Sequence, residues 1–284
     1  LAILSKEYAT YDKPFADSCL VVDEKMYDFA KNLKLKEKSL GPGTYDGGKA
    51  YVHNTIADGW SSPAYNGNNE SHDDLAIAAI ALHYATYEKT GKMDYLNDAV
   101  EDTQIGVPQE ASTGFFKGGW MAWNRDGMRK SSKNTSWANA YTYTLYGFYK
   151  MLLKDKETGL KYGIDDKTRL TYAENVALIL GTNISYLSGS GSQSITIPTL
   201  NGPTPVSFGD LWYNMQTDQT WIYNRYQAGN IFEVLAYSDV TKDLEGINLP
   251  QKGMQNWNSA AMKQLGINQL NYMLGVNPWD VSFL

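Results

Sequence analysis

The residues best suited to chemistry lie in the run T-W-I-Y-N-R-Y at positions 220–226. One helical turn separates Trp221 from Arg225, so the two side chains can point in the same direction, and Tyr226 follows directly. An indole ring can stack on the apolar C–H face of a sugar, while a guanidinium and a phenol can hydrogen-bond to its hydroxyl rim. The structural alternative is that Trp221 fills a core and Arg225 caps a helix or pairs with a carboxylate.

A second run, A-Y-N-G-N-N-E-S-H-D-D-L at 64–75, places Asp73 and Asp74 at the start of a predicted helix. Acids in a first turn balance the helix dipole and cap free N–H groups. Together with Asn69 and Glu70 they also offer the oxygen ligands that Ca²⁺ prefers. They are a poor general acid/base pair, because neighbouring helical positions point about 100° apart.

A third run, F-F-K-G-G-W-M-A-W-N at 115–124, combines two glycines with two tryptophans. Glycines let a ligand approach the backbone closely. We expect one of Trp120 and Trp123 to face a ligand while the other packs in a core. The three histidines form no zinc pattern, and no P-loop, dinucleotide fingerprint or serine-hydrolase elbow is present.

The bulk composition excludes several classes of protein. The chain has 284 residues, of which 43% are apolar, 20% charged and 13% aromatic, and its net charge is −6. An acidic chain without a basic stripe does not suit nucleic acid, and no apolar run is long enough to span a membrane. Cys19 is the single cysteine, so no intrachain disulfide forms, and we expect it in the core.

Helical patterns recur along the chain and must position these runs. Residues 14–33 repeat apolar groups in steps of four and three, from Phe15 through Cys19, Val22, Met26 and Phe29 to Leu33, which is typical of an amphipathic helix. Further helices are predicted at 72–89, 92–104, 133–154, 167–187, 219–238 and 257–274. Strand patterns are limited to short pieces at 113–123 and 194–198. Seven or eight helices joined as hairpins predict an all-α toroid or bundle.

Three segments in order resemble glycoside hydrolase family 9, the inverting cellulases with an (α/α)6 barrel. They are the run at 64–75 with its following helix, the run at 220–226, and N-Q-L-N-Y-M-L-G-V-N-P-W-D-V-S-F at 268–283. The last is similar to the family's Q-I-N-Y-x-L-G-x-N-P run and is the most specific. The resemblance implies one all-α catalytic domain, a six-hairpin (α/α)6 toroid. Residues 1–284 would be its central and C-terminal-side part, with 188–207 a flexible insertion.

The resemblance also implies roles for particular residues. The glucan cleft would be lined by Tyr65, Trp120, Trp221, Arg225 and Tyr226. A structural Ca²⁺ would bind Asn69, Glu70, Asp73, Asp74 and Asn124. The family usually has Asp at the last of these positions, and Asn124 keeps the oxygen but not the charge. No cofactor would be required for the chemistry itself.

The catalytic acids of the family are not found in these residues. Its paired aspartates lie in a D-A-G-D run, and its H-H-R motif and catalytic glutamate lie further along; neither run occurs here. We therefore expect the general base and the general acid outside residues 1–284. The chain is expected to be an incomplete barrel, to which carbohydrate-binding or Ig-like modules can be appended.

The implied function is an endoglucanase that hydrolyses internal β-1,4-glucosidic bonds of cellulose or a related β-glucan with inversion. Its partners would be β-glucan or cello-oligosaccharides, without nucleic acid or membrane. Its location would be extracellular, because a polymer cannot enter a cell. The alternatives are a non-catalytic glycan-binding α-toroid, another (α/α) barrel enzyme such as a lyase, and a purely structural helical domain.

Overall fold

The computed structural model describes the backbone of residues 1–40, 45–46, 49–50, 72–103, 105–106, 141–187, 194–197, 199, 201–207, 223–242, 244, 258–278, 280 and 282. Side chains are described for these residues except 33–40, 45–46, 49–50, 72–73, 141, 182–183, 185–187, 194–195, 197 and 223–226. Helices dominate the described residues, which confirms the predicted all-α class. The fold divides into two compact units, Leu1–Gly106 with Ala138–Arg169 and Val107–Trp137 with Leu170–Leu284.

The first unit is organised around a long buried helix. Its helices are α1 (Ala2–Tyr8), α2 (Lys13–Leu40), α3 (His72–Thr90), α4 (Asp94–Thr103) and α5 (Tyr141–Phe148), and strands β1 (Tyr45–Asp46) and β2 (Lys49–Ala50) form a hairpin. Helix α3 packs against the other four helices. Apolar residues on most sides of α3 are buried, as its all-round apolar sequence predicts. Gly91 (φ 64°) ends α3 in the left-handed conformation.

Helix α2 is confirmed, but its predicted apolar stripe is largely exposed. The Asp12 carboxylate accepts a hydrogen bond from the Phe15 N–H and so caps its start. Cys19 is buried as expected. Phe15, Met26 and Phe29 are 47%, 61% and 67% exposed, and Val22 is exposed as well. The buried side of α2 shares Cys19 with that stripe but otherwise includes Ala16 and Tyr27, which lie beside it.

A π-helical turn and two further α-helices follow α5. Helix α5 continues as a π-helical turn, Tyr149–Leu153. Helices α6 (Lys156–Lys161) and α7 (Asp166–Leu187) follow. Both begin at aspartates: Asp155 accepts from the Thr158 N–H at 2.7 Å, and Asp165 accepts from the Thr168 N–H at 3.0 Å. These hydrogen bonds hold the pKa of each aspartate below its usual range.

The second unit contains most of α7, helices α8 (Tyr223–Lys242) and α9 (Ser259–Met273), and a hairpin of β3 (Ser194–Ile197) with β4 (Thr204–Ser207). The strands pair antiparallel, with Ser194 opposite Ser207 and Ile197 opposite Thr204. The short strand predicted at 194–198 is therefore confirmed. Whether 188–207 is a flexible insertion, and whether 1–284 belongs to a single domain, stay predictions. Helices α8 and α9 pack along each other.

Candidate functional site

The start of α8 carries the part of the predicted site whose backbone is described. Arg225 and Tyr226 lie in the first turn of this helix. Of the run at 220–226, positions 223–226 lie in this helix, and a shared helical face for Trp221 and Arg225 stays a prediction. Trp221 itself, and the side chains of Arg225 and Tyr226, lie outside the described residues. The structure thus places the two residues at neighbouring positions of one helix, and the contacts of their side chains stay a prediction.

The other predicted site residues are placed only in part. Four of the five metal ligands and the two remaining cleft residues have no described side chain: Tyr65, Asn69, Glu70, Asp73, Trp120 and Asn124. Asp73 lies by its backbone in the first turn of α3, as predicted. Asp74 follows it, and its side chain is exposed. The described residues contain no group of three or more His, Cys, Asp or Glu that could hold a metal ion.

A hydrogen bond between two buried glutamines joins α8 to α9 directly behind Tyr226. Gln227 Nε2 donates to Gln269 Oε1 at 2.6 Å, and both side chains are fully buried. Gln269 is the first residue of the Q-L-N-Y run that resembles the family motif. Within the described residues, Gln227 Oε1 has no hydrogen-bond partner. This bond fixes the fifth residue of α8 to the neighbouring helix.

A second polar contact joins the same helices further along. Ser238 Oγ donates to the Ser259 carbonyl, and Ser259 Oγ donates to the Ser238 carbonyl, each at 2.7 Å. Gly266 of α9 lies against Leu235 of α8 so closely that a Cβ would come within 2.6 Å of Leu235 Cδ2. The two helices are therefore in close contact between the polar ends of their interface.

Buried polar residues continue along α8 in a pattern that the sequence analysis missed. Gln227, Asn230 and Glu233 recur at three-residue steps and are almost completely buried, as is Asn268 on α9. Such steps put side chains on one helical face. The signal was present in the sequence as polar residues at positions where a packed helix normally carries apolar ones. Burial also raises the pKa of Tyr237, one turn further, to about 12.

The L-G-V-N-P run after α9 is a helix stop. The Val276 N–H donates to the Asn271 carbonyl, and the Gly275 N–H donates to the Tyr272 carbonyl. Gly275 has φ 114°, which glycine adopts without steric cost. This arrangement satisfies carbonyls that the helix end leaves free. Asn277 Nδ2 donates to the Tyr272 carbonyl at 2.9 Å and reinforces the turn.

A charged cluster around Lys6 in the first unit holds α1. Lys6 Nζ donates to the Tyr84 carbonyl at 2.8 Å, to the Tyr162 hydroxyl at 2.9 Å and to Glu88. It also lies over the Tyr84 and Tyr162 rings. The hydrogen bond from Lys6 holds the pKa of Glu88 below its usual range. All three protons of the Lys6 ammonium are donated in hydrogen bonds, so this cluster stabilises the packing of α1 and is not a proton-transfer site.

His83 is a core residue of the first unit, and one of its two ring nitrogens is hydrogen-bonded. It is fully buried on α3, and its Nε2 lies 2.9 Å from the Tyr162 carbonyl. A carbonyl can only accept, so Nε2 carries the proton and Nδ1 is an acceptor. Within the described residues, Nδ1 has no hydrogen-bond partner. Burial lowers the pKa of His83 below its ordinary value of 6.5, and Lys6 lowers it further.

These features define an all-α protein in which Arg225 and Tyr226 lie in the first turn of a long helix. The family model described as Glycosyl hydrolase family 9 matches residues 1–284, the whole chain. The chain therefore belongs to glycosyl hydrolase family 9. Comparison with curated proteins and with solved structures finds no match.

Membership confirms the coarse predictions about fold and activity. The family has the (α/α)6 barrel fold and consists of cellulase-type glycoside hydrolases, so the protein is a glycoside hydrolase that acts on a glycan. Enzymes of this family are typically extracellular. Within the described residues, none of the helices combines the length and the apolar character needed to cross a bilayer.

Proposed function

We propose that the protein is an endoglucanase that hydrolyses internal β-1,4-glucosidic bonds of cellulose or a related β-glucan with inversion. The observation that carries this proposal is the family match over residues 1–284. It is supported by the backbone placement of Arg225 and Tyr226 together in the first turn of α8. A net charge of −6 fits a neutral polymer better than an anionic one.

In an inverting reaction two carboxyl groups act on opposite faces of the sugar. One carboxylate activates a water, and a carboxylic acid protonates the leaving oxygen, with about 6.5–9.5 Å between them. We assign neither group to a residue of this chain. The proposed role of the chain is to form part of the cleft. Trp221 stacks on a glucose ring, Arg225 and Tyr226 donate to its hydroxyls, and Tyr65 and Trp120 hold further rings.

The proposed function is tested with the complete protein on soluble cello-oligosaccharides and on a soluble cellulose derivative. We expect reducing ends to be released, viscosity to fall early as internal bonds break, and the α-anomer to be the first product in NMR spectra. First release of the β-anomer would exclude inversion. Unsaturated products would indicate a lyase, and glycan binding without any cleavage would indicate the non-catalytic toroid.

The role of Trp221 is tested by Trp221→Ala. We expect kcat/KM to fall about tenfold, equivalent to about 1.4 kcal/mol of transition-state binding. Tyr11→Ala is the matched control, because Tyr11 is an aromatic residue of the first unit that is 82% exposed. Its removal should leave turnover unchanged. An unaltered rate in Trp221→Ala would remove this residue from the cleft.

We also propose a structural Ca²⁺ at the start of α3, held by Asn69, Glu70, Asp73, Asp74 and Asn124. The exposed carboxylate of Asp74 in the first turn of that helix supports it, because carboxylate oxygens suit this cation. At a free calcium concentration of 100 times the Kd, binding would stabilise the folded protein by about 2.7 kcal/mol. Calcium should therefore raise Tm, and Asp74→Asn should reduce that rise. A Tm that is independent of calcium and of chelator would refute the site.

Secretion of the protein is proposed for a physical reason. Its polymeric substrate is too large to enter a cell, so the enzyme must meet it outside. Detection of activity in the culture supernatant of the source cells, with no activity in washed lysed cells, would support this location. The reverse distribution would contradict it.

A further inference from the structure

Two buried polar contacts join α8 and α9 at separate points along their length. The amide contact is the hydrogen bond from Gln227 to Gln269, and the serine contact is the reciprocal pair of hydrogen bonds between Ser238 and Ser259. The residue numbers rise along one helix and fall along the other, so the helices are antiparallel. Both contacts are shielded from water, since all four residues are buried.

The spacing of these contacts fixes the axial position of α8 against α9. Gln227 and Ser238 are about 16.5 Å apart along their helix axis, and Ser259 and Gln269 about 15 Å, at a rise of 1.5 Å per residue. The two spans agree to within about 1.5 Å, the rise of one residue, so both contacts form together in this register. Sliding one helix by one residue would separate both pairs by about 1.5 Å and leave buried polar groups without partners.

Burial of an amide pair gives this position no net stability beyond what apolar groups of the same shape would give. A buried hydrogen bond contributes about 1 kcal/mol net, and apolar groups of the same shape are about equally stabilising. Gln227 also buries an acceptor, Oε1, that has no partner among the described residues. Polar groups at such positions specify register, because wrong alignments leave them unpaired.

We propose that Gln227 and Gln269 are positioning residues that hold the first turn of α8, and with it Arg225 and Tyr226, in register for substrate. This inference rests on the proposed function, in which Arg225 and Tyr226 bind glucan hydroxyls. Gln227 directly follows Tyr226, so the amide contact anchors the end of the turn that carries both residues. The serine contact lies eleven residues further along α8 and anchors its other half.

The test compares the two contacts in the complete protein. Gln227→Met and Gln269→Met keep the side-chain length and remove the amide contact from either side. Ser238→Ala removes half of the serine contact and is the matched control, because it also loses a buried hydrogen bond between the same helices. If one glutamine variant does not fold, the other removes the same bond and gives the same test.

We expect the glutamine variants to lose kcat/KM on cello-oligosaccharides by about 10- to 100-fold, the scale of a misplacement of about 1 Å. Ser238→Ala should lower Tm while kcat/KM stays close to that of the wild-type protein. The double variant Gln227→Met with Gln269→Met should regain stability relative to Gln269→Met, because the Gln227 amide is then no longer buried without its partner, while both variants lack the further interaction of Gln269. Its activity should remain low, which a purely structural role does not predict.

Hydrogen exchange gives a second readout that needs no substrate. Amides of 227–230, which donate to the carbonyls of 223–226 within the helix, should exchange faster in the glutamine variants and remain protected in Ser238→Ala. Equal losses of activity at equal losses of Tm in both kinds of variant, or unchanged exchange at 227–230, would overturn the positioning role. A wild-type protein that neither binds nor cleaves β-glucan would instead refute the proposed function, and the exchange data would still decide whether the amide contact holds the turn.

Discussion

The close contact between α8 and α9 predicts that one glycine-to-alanine change destabilises the protein while another stabilises it. Gly266 and Gly147 both lie inside helices. A Cβ at Gly266 would come within 2.6 Å of Leu235 Cδ2 and 2.8 Å of Leu235 Cγ. A Cβ at Gly147 would meet nothing within 4 Å. The two changes therefore differ mainly in packing.

The expected magnitudes follow from two opposing effects. Alanine stabilises a helix interior relative to glycine by about 0.5–1 kcal/mol. Overpacking costs about 1–3 kcal/mol. Gly147→Ala should therefore raise the free energy of unfolding by about 0.5–1 kcal/mol. Gly266→Ala should lower it by about 0.5–2 kcal/mol, because the Leu235 side chain or the neighbouring helix must shift.

The double variant Gly266→Ala with Leu235→Ala isolates the cause. Truncation at Leu235 removes the atoms that clash, so adding alanine at 266 in that background should stabilise the protein by about 0.5–1 kcal/mol. Equilibrium unfolding in urea, followed by circular dichroism, measures each step of this cycle. A stabilising Gly266→Ala in the wild-type background, or a change of the same sign in both backgrounds, would refute the argument from close helix packing.

Two further predictions concern the first unit. Gly163→Ala should lower Tm more than Gly91→Ala: both glycines have positive φ, but a Cβ at Gly163 would lie 2.4 Å from the Tyr87 hydroxyl, whereas Gly91 faces open space. Equal Tm losses would contradict this. Because the pKa of His83 is lowered, the unfolded state binds more protons, so stability should fall as pH drops below about 6.5. His83→Gln should flatten unfolding curves measured between about pH 5 and pH 7, and an unchanged slope would exclude His83 as the cause.

The positions of the helices could be predicted well from the sequence. The patterns at 72–89, 167–187 and 257–274 closely match α3, α7 and α9. Periodicity and terminal residues determine where a helix forms, and both are local properties. Helix α6 was missed, although the sequence contains a signal for it. Asp155 is a typical N-cap residue, and it accepts a hydrogen bond from the Thr158 N–H at the helix start.

The direction in which a helix buries its surface could not be predicted as well. The Phe15–Met26–Phe29 stripe of α2 looked like a core face, yet Ala16 and Tyr27 are the residues that pack inside. Burial depends on neighbouring helices, which periodicity does not reveal. The partnership of Gln227 with Gln269 was hidden for the same reason, since it joins residues of two helices and is a tertiary contact.

The residue types of the candidate site could be predicted from the sequence, but the contacts that hold its helix in place could not. Residue types and spacing singled out Trp221, Arg225 and Tyr226, because helical geometry is regular enough to relate positions one turn apart. The amides that hold the same helix carry no charge and form no motif by themselves. They became recognisable only when the structure brought them within 2.6 Å.

The π-helical turn at Tyr149–Leu153 has a consequence for how this region tolerates changes in length. Such a turn holds one residue more than an α-helical turn, so it behaves as a single-residue insertion absorbed within a helix. Deleting one residue there would therefore restore an ordinary α-helix, and the residues beyond it would keep their phase. Leu152 and Leu153, which are buried, would stay on the side that packs inside. The chain would still enter α6 in its present direction, whereas a deletion inside α5 would rotate everything beyond it by about 100°.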